Sequence, residues 1–402
     1  TKNRPMTTTC KMELTVGQID GDLRGDDDKI LQAAVDYLHR LGGGTLRILP
    51  GTYNMRNALY LRSHVTIRGS GKDTILKKES GAVTNLIQES DWFEARVRVE
   101  NVEGFSIGCG IMLRSFEDNG RMTVVKDTVT DINGDILSLS RRLEENMWPS
   151  QHASVATIFP LLTAEYVNDV VVEDLVLDGN RSGNEEINGN YAGGVFIQHC
   201  DRHTFRNVTS RSYNGDGFSF QVCDDIHFEH CTSENNANLG FHPGSGSQRP
   251  VLKRCISRGN SQGIFFCWGV SDGLAEHCDL SDNLDYGITI GHRDTDNRII
   301  NCSIERNVKA GIVFRDEGEG FLAGHRNTIE SCLIKDNGHA ESGIGIDLRK
   351  EPYDVEIRNN RFEDSGSGHQ KIGIHIERGV CREKIENNSF LGMEVDVLDE
   401  RK

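Results

Sequence analysis

The sequence predicts an elongated all-β solenoid, and three observations predict it. Between Phe205 and Phe314 one pattern recurs five times: an apolar entry, a polar turn carrying Asn, then Gly followed by alternating apolar residues. Its marker glycines, Gly217, Gly240, Gly263, Gly287 and Gly311, are spaced 23, 23, 24 and 24 residues apart, and the phase extends back to Gly194 and on to Gly343 and Gly373. Each copy alternates with period two, so a repeat of this size marks stacked β coils. One coil cannot bury its apolar face alone, and stacking supplies the core. The third observation is the cysteine spacing. Cys231, Cys255, Cys278 and Cys302 fall at one point in four consecutive copies, and Cys332 continues the column. Coils stack ~4.8 Å apart, so these thiols are expected to form an internal ladder of small hydrophobes rather than disulfides. There is no CxxC pair or metal-type Cys/His cluster among the eleven cysteines. The Asn column Asn214, Asn236, Asn260, Asn283 and Asn307 is expected at tight turns, where Asn tolerates left-handed backbone.

One continuous repeat argues for a single domain over residues 1–402, with regular coils at 166–390. The formal charge is −16 and no Lys/Arg run is present, which argues against nucleic acid as a partner. An anionic substrate would have to meet a local positive patch. No apolar run approaches the ~20 residues needed to span a bilayer. The chain begins with Thr, as it would after removal of an export signal, and a secreted or periplasmic location is expected.

In chain order, residues 26–41 place Ile30, Leu31, Ala34, Val35, Tyr37, Leu38 and Leu41 at helical spacing, with acids in the first turn where the helix dipole favours them. Glycines 42–44 stop this helix, which is expected to precede the first strand and cap the open end of the solenoid. Residues 88–165 break the period and are expected to be irregular coils with large loop insertions. The run DGNRSGNEE at 178–186 offers oxygen ligands for calcium, although a polar turn accounts for the same residues; no cofactor is otherwise expected.

The stretch GDLRGDDDKILQAAVDYLHRLGGGTLRILPGTY, followed by VTIRGSG, resembles the amino-terminal portion of pectate-lyase-like proteins, and the resemblance continues through the Asn/Gly repeats to about Phe390. It implies a single-stranded right-handed parallel β-helix with an N-terminal capping helix and loop insertions. That superfamily includes lyases, epimerases, hydrolases and non-catalytic adhesion proteins, so it specifies fold better than reaction.

Side chains alternate along a strand, so residues one and three after each marker glycine point inward: Phe218/Phe220, Ile264/Phe266, Ile288/Ile290 and Ile312/Phe314. The outward column is Phe196, Ser219, His242, Phe265, Thr289, Val313 and His375, flanked by Asp216, Gln221, Tyr286, Arg315 and Asp347. Aromatic residues beside a few ionisable groups suit a sugar-binding groove. Three segments carry the signal: GFHPGSGSQRP with His242 and Arg249, ITIGHRDTDN with His292, Arg293 and Asp294, and VFRDEGEGF with Arg315, Asp316 and Glu317. A lyase on a uronic-acid polysaccharide must neutralise a carboxylate, remove the α-proton and assist the leaving oxygen. Arginine suits the first task and His or Tyr the second. His242, His292, Arg293, Arg315, Tyr286 and Asp294 are therefore the candidate catalytic residues. Asp216, Ser219, Gln221, Arg249, Phe265, Trp268, Asp316 and Glu317 are candidates for substrate binding. C5 epimerisation needs nearly the same groups.

A glycoside hydrolase is the alternative. It requires two carboxyl groups, ~5 Å apart for retention or roughly 6.5–9.5 Å for inversion, and Asp294 with Asp316 or Glu317 is the best pair. A non-catalytic carbohydrate-binding β-helix is a third reading. LGFHPGS resembles the YGFDPHE stretch of alginate epimerases in its place within a coil. His242, Gly244 and Leu239 stand where that motif has its acid, histidine and tyrosine, so those catalytic roles do not carry over.

Overall fold

The computed structural model describes residues 11–340 and 343–402. Each regular coil contributes three short strands, exemplified by Asp216–Gln221, His227–Glu229 and Thr232–Glu234 before the next coil begins at Leu239. The strands that follow the marker glycines form an eleven-stranded parallel sheet, here called the groove sheet, running from Leu59–Tyr60 to Val395–Asp399. Its register is uniform. Phe218 pairs with Phe241, Phe241 with Ile264, Ile264 with Ile288 and Ile288 with Ile312. The inward set is buried as alternation requires, and its rings stack: Phe218 on Phe241 with centroids 4.9 Å apart, Phe205 on Phe228 at 5.1 Å.

Polar ladders run through the same interior. Each Asn side chain accepts from the backbone N–H of the preceding coil: Asn260 from Asn236 at 3.0 Å, Asn283 from Asn260 at 3.3 Å, Asn307 from Asn283 at 3.0 Å. This satisfies turn N–H groups that water cannot reach. The left-handed residue of each turn lies one position earlier, at Asn235, Asp282 and Arg306. The column therefore exists for its side-chain hydrogen bonds and not for αL backbone. Nor does Asn214 belong to it. Tyr213 occupies that position and donates its N–H to Asn236, while Asn214 bonds to the carbonyl of Glu185. The cysteine column is a ladder of buried free thiols, with Cys231 donating to the carbonyl of Phe205 and Cys278 to that of Leu252.

The helix spans Asp28–Arg40, with Asp27 accepting from the N–H groups of Lys29 and Ile30. It buries Leu31, Ala34, Val35 and Leu38 into the coil core and leaves Tyr37 and Leu41 exposed. Two strands, Met12–Gly17 and Leu23–Arg24, precede it, and the first pairs in parallel with Gly44–Ile48, so the helix follows the first strands instead of preceding them. Among the described residues no helix is long and apolar enough to cross a membrane.

Residues 83–156 differ most from expectation. They are not irregular coils but a six-stranded antiparallel sheet. Its longest ladder joins Gly110–Phe116 to Met122–Asn133. One face holds a separate core of Val97, Ile111, Leu113, Val129, Leu137 and Val155. The other turns toward the coils, where Met112 and Ala156 enter the main core. Period-two patterning suits this sheet as well as a coil, which is why the sequence did not separate them. Anchors hold it in place: Asn57 donates to Gly108 and Thr128, and the buried Lys78 donates to the carbonyl of Thr157 at 2.7 Å and to Asn184.

Candidate functional site

The outward column of the groove sheet forms one line. Thr163 is in register with Phe196, Phe196 with Ser219 and Ser219 with His242; beyond them Phe265 pairs with Thr289 and Thr289 with Val313. Successive members lie ~4.8 Å apart by strand spacing. Ser219, His242, Thr289 and Val313 are nonetheless buried, because neighbouring loops and long side chains roof the line.

At its centre His242 directs Nδ1 to Asp216 Oδ2 at 2.7 Å, and Asp216 Oδ1 accepts the N–H of Leu239 at 3.0 Å. The loop carrying Gly189 closes over this pair. A Cβ at Gly189 would collide with the Asp216 carboxylate, and Ser219 Oγ donates to the Gly189 carbonyl. Burial pushes His242 down, but the charge and hydrogen bond of Asp216, helped by Cys267, raise it to about 9. His242 is thus a buried cation at neutral pH. Its Nε2 has no hydrogen-bond partner among the described residues.

One coil further, Phe265 meets His242 edge-on with centroids 5.4 Å apart and carries the Arg315 guanidinium on its ring at 4.1 Å. Arg315 Nη1 donates to Thr289 Oγ1 at 3.0 Å, while Nη2 lies 3.4 Å from Asp294 and Nε 3.5 Å from Glu317. Gly291 is required here, since a Cβ would strike the guanidinium. Asp294 is fully buried and accepts the N–H groups of Val270 and Gly291. Burial raises it to about 6 against the pull of Arg315 and those N–H groups. Trp268, half exposed, donates to Glu317 at 3.0 Å and lies 5.2 Å from the His292 ring. Asp216, Ser219, His242, Phe265, Trp268, His292, Asp294, Arg315 and Glu317 therefore share one neighbourhood.

Other candidates lie elsewhere. Arg249 sits at the next corner of the coil, with positive φ, bonded to Asp225 at 2.8 Å. The same Arg–Asp pairing recurs at Arg202–Asp169, Arg326–Asp296 and Arg382–Asp354, so it is a corner ladder and not a groove residue. Arg293, exposed and also at positive φ, occupies the turn just after the groove strand, where earlier coils have Gly246 and Gly269. Asp316 reaches Arg349 at 3.8 Å on the carboxy-terminal side of Arg315, and Tyr286, at the start of the Thr289 strand, stands beside Lys309. Gln221 bonds to Gln198 at the other end. Among the described residues no cluster of His, Cys, Asp and Glu has the arrangement of a metal site, and Asp178 in the 178–186 run is bonded to Arg211 and Asn180.

What sequence reasoning missed is the inserted sheet's contribution. Strand alternation turns Lys126 toward the coils, where its ammonium lies 3.7 Å from the centre of the Phe196 ring. A cavity of about 440 Å³ opens between them, lined by Tyr60, Lys126, Arg141, Thr163, Phe196 and Gln198 among others. The alternation of 122–129 was a usable signal for which way Lys126 points. Its partner across the gap was not.

A family model for the right handed beta helix region matches residues 184–339. No curated protein matches the chain by sequence. Among solved structures the chain is similar to the A-module of mannuronan C-5 epimerase AlgE4 of Azotobacter vinelandii, at 17% identity and TM-score 0.61, covering 93% of both chains. It is similar to the Streptococcus pneumoniae surface protein and adhesin PfbA, at 11% identity and TM-score 0.58, covering 93% of this chain and 96% of that one. A hyperthermoactive exopolygalacturonase of Thermotoga maritima follows at 12% identity and TM-score 0.53, with 96% and 91% covered. The chain is a right-handed parallel β-helix. At these identities the likeness establishes that fold.

Proposed function

We propose that the chain is a carbohydrate-active enzyme, exported from the cell, that binds a uronic-acid polysaccharide along the groove sheet and acts on it by β-elimination or C5 epimerisation. The observation that carries this reading is Arg315 laid on Phe265 beside the buried Asp216–His242 pair. A fixed guanidinium can neutralise a sugar carboxylate, which lowers the cost of removing the proton α to it. The half-exposed Trp268 offers the adjoining sugar a ring face. His242 is protonated below about pH 9, so its role is electrostatic and not that of the base. His292, next to Trp268, is the reachable imidazole for the proton transfer. Similarity in fold to an epimerase module and a polygalacturonase is in keeping with this chemistry.

A second reading has its own observation. Arg315 lies within 3.5 Å of both Asp294 and Glu317, and burial raises Asp294 to about 6, so Asp294 is the carboxyl poised to be protonated. That is the state a glycoside hydrolase needs in its general acid.

Incubation with oligomers of mannuronate and of galacturonate tests both. A new ultraviolet absorbance from unsaturated sugar, or exchange of solvent deuterium into C5 without cleavage, is expected for the wild type and lost in Arg315→Ala. New reducing ends without unsaturation would overturn the proposal in favour of hydrolysis, and silence in all three assays would remove the enzymatic reading. Activity is expected to fall below about pH 6 as Asp294 takes a proton and above about pH 9 as His242 loses its own.

A further inference from the structure

The cavity beneath the inserted sheet brings Lys126 and Arg141 together beside the Phe196 ring. Lys126 makes no ion pair among the described residues; its ammonium rests on the Phe196 ring, and the nearest carboxylate influence is Glu165 at the rim. Arg141 donates to the Lys126 carbonyl at 2.8 Å and likewise forms no ion pair among the described residues. Asp127, the other acid in the wall, is already engaged by the N–H groups of Thr128 and Ser140 and by the Ser140 hydroxyl. Lys126 and Arg141 thus face a space of about 440 Å³ without a direct ion pair, although Glu165 and Asp127 share its wall. Burial draws Lys126 down to about 7, with Glu165 opposing, the behaviour of an ammonium that lacks a counter-ion.

The cavity does not end there. Lys126, Arg141, Phe196 and Gln198 also wall a second space of about 550 Å³ that extends to Asn190 and Gln221, with Glu144, Glu145 and Glu165 in its wall. Gln221 lies on the Ser219 strand, one coil before His242. The two spaces and the His242–Phe265 line therefore follow one another along the same sheet, which suits a polymer better than a free small molecule.

We propose that the first cavity is a subsite for a carboxylate-bearing sugar unit, its carboxylate held between Lys126 of the inserted sheet and Arg141, several coils upstream of the reacting unit at Arg315. The assignment rests on the uronate reading above and adds to it the place where a distal sugar is gripped. Arg141 supplies planar donors and Lys126 a point charge. Tyr60 and Gln198 line the same space with a ring and an amide. The carboxylate provides the counter-charge that Lys126 lacks. Binding energy collected here, remote from the chemistry, would serve to align the polymer over Phe265.

The test is calorimetric titration of the full chain with short oligomers of galacturonate and mannuronate and with their carboxyl-reduced counterparts. Lys126→Met and Arg141→Gln are each expected to weaken the acidic oligomer tenfold or more while leaving the reduced oligomer unchanged, and Lys126→Arg to restore most of the loss. Thermal melts of each variant verify the fold. Lys126→Met binding the acidic oligomer like the wild type would overturn the subsite while leaving the uronate reading intact. Equal loss for acidic and reduced oligomers would overturn the carboxylate role. A wild type that binds no uronate oligomer would sink both.

Discussion

The regular coils and the inserted sheet are both built from alternating strands, yet they handle polar groups in opposite ways. In the coils, parallel register repeats each residue type on the next rung, so an amide bonds to its counterpart one coil away, as Asn236 does to Asn260. In the insertion, antiparallel pairing sets unlike residues opposite each other: Met112 faces Lys126 and Arg114 faces Val124. The coils therefore supply a rigid, repetitive line, and the insertion supplies chemical variety above it. The difference teaches where function can be written on this fold. Substituting one rung disturbs its neighbours on both sides, whereas the insertion can place a lysine over Phe196 without copying it.

The largest expected effect tests whether the two cores are separate. Phe228→Ala, which removes a ring stacked on Phe205 and edge-on to Phe218, is expected to cost about 3–5 kcal/mol of global stability by urea denaturation. Leu137→Ala in the insertion should instead accelerate amide exchange in strands 110–116 and 122–133 while coil amides keep their protection. Equal exchange in both regions would merge them into one cooperative unit.

Next is the buried ion pair. The raised pKa of His242 corresponds to about 3 kcal/mol, relative to its unfolded value, of stability that is fully present below about pH 6.5 and lost as pH rises through about 9. Asp216→Asn is expected to remove that stability and flatten its pH dependence, with the His242 titration observed by NMR moving below 6.5. A variant that still loses stability between those values would show that another group is responsible. A smaller loss, about 2 kcal/mol, is expected of Asn260→Ala, which strands the N–H of Asn236 and the carbonyl of Ser233 inside the shaft. Smallest of all, Arg249→Ala removes exposed pairs with Asp224 and Asp225 and should leave the melting temperature close to that of the wild type and glycan binding unchanged.

Much of the shaft was legible because stacking turns spacing into position. The glycine phase gave the groove sheet, alternation gave Phe218 and Phe241 inside, and the cysteine column gave a thiol ladder. The site was legible only as a line. Ser219, His242, Phe265, Thr289 and Arg315 are neighbours because coils stack. The burial of Asp216 and Ser219 was not foreseeable, since it depends on the Gly189 loop, whose placement no local pattern encodes. Arg249 was misplaced because a left-handed corner falls between His242 and its own position, turning the chain off the groove face. Asn214 was misplaced by one residue, as Tyr213 takes the rung. Lys126 could not be found from sequence, because its surroundings come from strands some 70 residues away.

The uniform register of the groove sheet also sets a unit of length. A deletion or duplication of one whole coil, such as the 23 residues from Gly240 to Gln262, would carry every ladder along with it and rejoin like to like. A single inserted residue within a strand would turn its inward phenylalanines outward. The distance between the Lys126 cavity and Arg315 is therefore adjustable only in whole steps of ~4.8 Å. A protein of this kind can change how many sugars it spans by counting coils, with no redesign of either end.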